Sequence, residues 1–315
     1  MLHLDELTWP ELDALDRGRT VIFIPFSPME EHGPHLPIGT DLFVARHFAE
    51  ALGREVEARR SGVTALVMPG VPLGAGTVPM RGSVNLTLDL VFDVARQIGV
   101  ALARDGFKYI VFVNGHLSPW HLLALENAAA WVSRRYRIHA IAPSAAIARA
   151  VMRGGQIAQA LENRLKVEDL RELLSAAHAG MLETSVMLHL HPHLVRGVFA
   201  ELPALSRKAM LGWRGRTPAR WQGYIGSPSL GDGEWGAAAI QALVNAGASL
   251  IVQMVDEDKG AARAAHLFPR VPFWLTARRA LQLGAAALVG AGVTVLATQA
   301  FGQGRKNNGW LSKKW

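Results

Sequence analysis

Short, uninterrupted apolar runs alternate with amphipathic stretches over the first half of this chain, and few architectures accommodate that order. "TVIFIPF" (20–26), "VTALVMPGVPLG" (63–74), "YIVFVNGH" (109–116) and "IHAIAPS" (138–144) have the unalternating, β-branched character of strands buried on both faces. Between them, 41–56, 87–107 and 121–135 carry apolar residues at helical spacing, the second stopping at Asp105-Gly106 in the manner of a C-cap. This order predicts an α/β fold, a mainly parallel sheet with helices on both faces. In such sheets ligands gather at the loops that leave the C-terminal ends of the strands. "PMEEHGPHLPIGTD" and "NGH" are two such loops, and they are expected to converge.

Composition narrows what those loops can do. The 315 residues contain no cysteine, so disulfides and thiolate ligands are excluded and any metal site must use His and carboxylates. The net charge of +7 suggests nucleic acid until it is located. Residues 259–315 hold nine Lys/Arg and no Asp/Glu, which leaves 24 basic against 26 acidic residues in 1–258. A weakly acidic body is a poor nucleic-acid binder. The N-terminal "MLHLDELTWPELDALDRGRT" lacks the apolar core of a secretory signal, so a cytoplasmic body is expected.

The chain is expected to divide into a body over 1–258 and a basic tail over 259–315. Within the tail, 280–301 is uncharged and mostly apolar, with Arg278 and Arg279 before it and Arg305 and Lys306 after it. About 20 such residues suffice to span a bilayer. The expectation is a transmembrane helix anchoring the body to the inner membrane, or else a hydrophobic helix docked on a neighbouring subunit. A helical middle precedes "HAGMLETSVMLHLHPHLV", and 232–255 reads as the closing helix of the body. The irregular segment 200–228, with Trp213, Arg214 and Trp221, is expected either to cap a site or to contact another subunit.

Glu30 and His32 are two apart, so an extended backbone points both the same way. Asp41 follows a Pro/Gly-rich turn that can bring it back to them. His116 closes the "NGH" loop, and Glu183 lies five residues after His178. Two imidazoles and three carboxylates suit borderline cations such as zinc and manganese, and are about what a neighbouring pair of ions needs. Prolines at 25, 28, 34 and 37 stiffen the first loop, as a metal site requires.

These residues closely resemble the signature of the creatininase (creatinine amidohydrolase) family. The likeness runs through "FSPMEEHGPHLPIGTD", "GFKYIVFVNGH", "HAGMLETSVMLHLHPHLV" and "GYIGSPSLGDGEWGAAAIQALV", in family order, over roughly 5–255. It implies a three-layer α/β/α creatininase-like fold with the hydrophobic helix as a C-terminal addition. It implies two divalent ions, zinc or manganese with iron as a further option, held by Glu30, His32, Asp41, His116 and Glu183. Asp41 would be the carboxylate shared by both ions, His178 the proton donor, and His35 would orient a ligand from behind. The implied activity is hydrolysis of an amide or cyclic amide C–N bond by a water that the two ions activate. The substrate would be a small molecule, and the assembly a homo-oligomer, commonly a hexamer.

Two departures modify that picture. After His116 the chain reads "LSPW", without the carboxylate that creatininase itself has there, so creatinine is not the expected substrate. The loop "LGAGTVPMRGS" lacks the acid and histidine of the family pattern. Alternatives are a peptidase trimming a cofactor-precursor peptide, or a lapsed, membrane-attached scaffold.

Overall fold

The protein is described from a computed structural model, covering residues 1–153, 178–205 and 221–256. These belong to the first of two units into which the chain divides, Met1–Pro269 and Arg270–Trp315. The expected 280–301 helix, the helical middle before His178, and Trp213 and Arg214 lie outside the described residues.

Five described strands form one sheet: β1 (Leu2–His3), β2 (Thr20–Pro25), β3 (Thr64–Val67), β4 (Tyr109–Val113) and β5 (His139–Ile141). Their order is β1-β3-β2-β4-β5 and every pairing is parallel. β2 and β4 are central and buried along their whole lengths, which is why their sequences show apolar runs rather than alternation.

Helices cover both faces. Val21, Phe23, Ala65, Val67, Val111 and Ile141 project into one core with α2 (Thr40–Arg59), α5 (Ser144–Arg153), α6 (Met181–Leu190) and α7 (Gly233–Val255). Each large apolar side chain buried there contributes roughly 2 kcal/mol. On the opposite face α3 (Leu88–Arg104) packs against α4 (Pro119–Tyr136). A Cβ at Gly99 of α3 would lie 2.9 Å from Val132 and 3.6 Å from Phe112, so glycine lets α3 close onto α4 and the sheet. The three-layer architecture follows. α7 is long and apolar enough to cross a membrane, but its Ala239, Ile240, Val244, Ala248 and Ile251 sit in the core of the body.

The element ends have local causes. Asp232 caps α7 by accepting from the N–H groups of Glu234 and Trp235. Gly106, at φ +94°, turns the chain away after Asp105 closes α3. β3 stops at Val67, just before Pro69-Gly70, well short of the apolar run through 74.

The strand order fixes where a ligand can sit. From β2 the chain moves outward to β3, then returns across β2 to place β4 on its other side. The direction of winding therefore reverses between the C-terminal ends of β2 and β4, where their departing loops leave a crevice.

Candidate metal centre

Glu30, His32 and Asp41 follow β2, and His116 follows β4, so four of the expected residues enter this crevice from two strands. Glu183 joins them from the first turn of α6. His116 Nδ1 lies 2.9 Å from Glu30 Oε2 and 3.1 Å from Asp41 Oδ2. His32 Nε2 lies 3.3 Å from Asp41 Oδ1 and 3.7 Å from Glu183 Oε2. Asp41 thus presents one oxygen to each histidine. Rather than capping α2, it sits in the first turn with its carboxylate turned into the crevice.

The loops are locked by backbone and side-chain hydrogen bonds. Asn114 Oδ1 accepts from the His116 N–H at 2.8 Å and from Ser27 Oγ at 2.9 Å, while Ser27 Oγ accepts from the Gly115 N–H at 2.8 Å. The loop after β2 is thereby stapled to the loop after β4. Gly115 between them is dictated by space: a Cβ there would lie 2.4 Å from the Asp41 carbonyl oxygen. In "NGH", then, Asn clamps, Gly lets α2 approach, and His reaches the site.

Glu30 Oε1 accepts from the Val78 N–H, which leaves Oε2 for the crevice. His32 Nδ1–H donates to the Glu30 carbonyl at 3.0 Å, turning Nε2 inward. The Ala179 N–H holds Glu183 Oε2, and Ala179 itself has φ +47°, a strained conformation for a residue with a Cβ.

Glu30 Oε2, His32 Nε2 and Asp41 Oδ2 are buried and have no hydrogen-bond partner among the described residues, despite their short approaches. Buried donors this close together, without aligned hydrogens, are a set that a cation could occupy. The donors form three compact groups: Glu30, Asp41 and His116; His32, Asp41 and Glu183; and Glu30, His32 and His178. The first two share Asp41, and all are nitrogen and oxygen donors suited to zinc or manganese.

Electrostatics point the same way. Burial opposes charging of His32 and His116, yet Asp41 and the neighbouring glutamates push both up to about 10. Asp41 is held well below the usual carboxylate range: burial raises it, but the two histidines outweigh that. A divalent cation would take over the role of those protons.

His178 lies against the cluster, its ring 4.5 Å from that of His32. Its Nε2–H donates to the Glu31 carbonyl at 2.7 Å, with Glu31 Oε1 at 3.5 Å, and Nδ1 faces Glu30 Oε2 at 3.9 Å. Among the described residues, no hydrogen bond or ion pair joins the His35 side chain to any of the five. Thr184 donates to the Gly180 carbonyl, so it accepts from His35 Nε2–H at 3.0 Å, and His35 steadies the turn carrying Glu183 instead of a ligand directly.

Further residues support the crevice without carrying a motif of their own. His121, fully buried on α4, donates from Nε2 to the Phe26 carbonyl and accepts at Nδ1 from the Ala75 N–H. Burial and then the nearby His116 push it down to about 3, so it is a neutral brace beneath His116. Its spacing of five from His116 on an apolar helix face was the available signal. Glu31 is buried beside Glu30, and nothing in the sequence distinguishes it from its neighbour.

Known proteins resemble this chain in sequence and fold. The profile of the creatininase family (creatinine amidohydrolase) matches residues 5–251. The chain belongs to the creatininase family. Among curated relatives, a mycofactocin precursor peptide peptidase of Mycobacterium ulcerans is 28% identical over 60% of this chain and 61% of its own. Creatinine amidohydrolase of Pseudomonas putida is 30% identical over 36% of this chain and 45% of its own. The chain therefore spans less than two thirds of either. A creatininase crystal structure superposes with a TM-score of 0.59 at 22% identity, covering 80% of this chain and 97% of that one. Creatininase structures of the same fold include a Zn–Zn mutant form (TM-score 0.59, 21% identity, covering 80% and 97%) and a manganese form (0.56, 23%, 80% and 98%).

Proposed function

We infer that this creatininase-family hydrolase uses two divalent ions to hydrolyse the C–N bond of an amide. The observation that carries the reading is Asp41, whose two oxygens each serve a different donor group in a crevice at the reversal point of the sheet. Glu30 and His116 would complete one ion's ligands, and His32 and Glu183 the other's. Zinc and manganese are favoured by the donor types and by the forms in which solved creatininases occur. Such ions, when bound, make water nucleophilic at neutral pH and polarise a carbonyl.

The protein's own groups supply the rest. Asn114, Ser27 and Val78 hold the ligands in place, so little reorganisation accompanies the reaction. When water adds to the amide carbon and the C–N bond breaks, the departing nitrogen must gain a proton. His178 is the donor: Nε2–H is tied to Glu31, and Nδ1 faces the crevice to deliver the proton. The products are a carboxylate and an amine.

A peptide amide is the second reading. It is favoured by the relatives named as peptide peptidases and by Leu117-Ser118-Pro119, where no carboxylate follows His116. One experiment addresses both: protein reconstituted with manganese or zinc is offered lactams, ureides and short peptides. Amine release that stops on chelation and in Glu30→Gln is expected, and the substrate cleaved selects between the readings. Absence of metal-dependent hydrolysis across the panel would leave only a lapsed scaffold.

A further inference from the structure

An apolar cavity of about 100 Å³ lies directly beside the candidate ligands. Asp41 and Glu183 form part of its wall with Thr40, Asn114 and Ser144, and most of the remainder is apolar, Val44, Ala148, Leu182 and Leu243 included. The Glu183 side chain is 30% exposed, whereas Glu30 and Asp41 are sealed, so the crevice is open on the Glu183 side.

We propose that this cavity receives a compact branched aliphatic group on the acyl side of the scissile bond, making amides of short branched carboxylic acids the preferred substrates. The proposal rests on the two-ion hydrolase reading and assigns direction within it. His178, the proton donor to the departing amine, sits on the Glu30–Glu31 side and does not line the cavity. The amine therefore leaves on one side, and the acyl substituent projects to the other, between Asp41 and Glu183. Size sets the group: an apolar cavity of about 150 Å³ accepts a benzene ring, so one a third smaller suits isopropyl or isobutyl. Most of the wall is apolar, and of its polar members Thr40 and Asn114 already donate to the Pro37 and His116 carbonyls, so an anionic substituent would meet the Asp41 and Glu183 carboxylates without a donor from either.

Hydroxamic acids test this without turnover, since their –CO–NHOH group chelates the ions while the acyl chain probes the cavity. Calorimetric titration of the full-length, manganese-loaded protein would compare acetyl, propionyl, isobutyryl, isovaleryl and cyclohexanecarbonyl hydroxamates. Affinity is expected to rise about fourfold per added carbon up to isovaleryl, the increment for burying one methylene, and to fall for the cyclohexyl compound. Filling the cavity with Ala148→Leu or Leu243→Phe should flatten the series, so that the isovaleryl compound loses its advantage over the acetyl one. Two variants are used so that misfolding of one leaves the test intact. Equal affinities across the series with acetohydroxamate bound, or an unchanged slope in both variants, would overturn the cavity assignment alone. Failure of every hydroxamate to bind metal-loaded protein would overturn the two-ion reading and the cavity assignment with it.

Discussion

The two halves of the crevice are built from similar donors but held very differently. On the Glu30–His116 side, both partners are sealed, and a lattice of hydrogen bonds from Ser27, Asn114 and Val78 fixes them to the ends of β2 and β4. On the His32–Glu183 side, Glu183 is partly exposed and its carboxylate rests on one N–H from the strained Ala179. Rigid strand ends should hold one ion tightly, and the looser helix turn should exchange the other. A chain can thus keep a permanent structural anchor and an adaptable reacting edge in one site.

The largest effect should come from breaking the sealed half. His116→Ala or Glu30→Gln is expected to remove one ion per subunit, a loss beyond the roughly 100-fold in affinity that deletion of an outer partner costs. Elemental analysis after gel filtration checks this, and full metal content in both variants would refute the ligand set. Glu183→Gln should weaken only the second ion, seen as the loss of the weaker of two binding events in a manganese titration. Were the tighter event lost instead, the ranking of the halves would be inverted.

Asn114→Ala should act through its neighbour, lowering affinity of the sealed half by about 10- to 100-fold with the other half unaffected. An equal effect on both would mean that the clamp is general to the crevice. The smallest effect concerns pH. In metal-free protein, His32 and His116 are raised from 6.5 to about 10, so the stability they contribute is complete below about pH 6.5 and is lost as pH rises toward 10. The melting temperature of metal-free protein should fall across that window, while metal-loaded protein, whose histidines carry no such protons, should not show the same loss. Parallel curves would argue against occupancy by a cation.

Much of this was readable because the central strands leave no ambiguity. β2 and β4 are buried on both faces, and their apolar runs state it. β1 leaves no periodic signal, since Leu2–His3 pairs over only two residues, and α1 (Trp9–Asp13), which starts at the capping box of Thr8 and Glu11, is too short for helical spacing to show. Glu30, His32, Asp41, His116 and Glu183 stand out from the chain's other histidines and carboxylates only by their grouping and by the likeness of their segments to the family signature. Asn114, Ser27 and His121 do not, because their roles exist only between segments that the fold brings together. His35 is expected to orient a ligand from behind, and its described contacts are with Thr184, next to Glu183, and with the Tyr224 ring.

The central claim is that Asp41 is shared by two ions. Anomalous diffraction from crystals of manganese-loaded protein tests it directly. The account predicts two peaks flanking the Asp41 carboxylate, about 3.5–4 Å apart, one near His116 and one near His32. A single peak, or none within reach of Asp41, would contradict it.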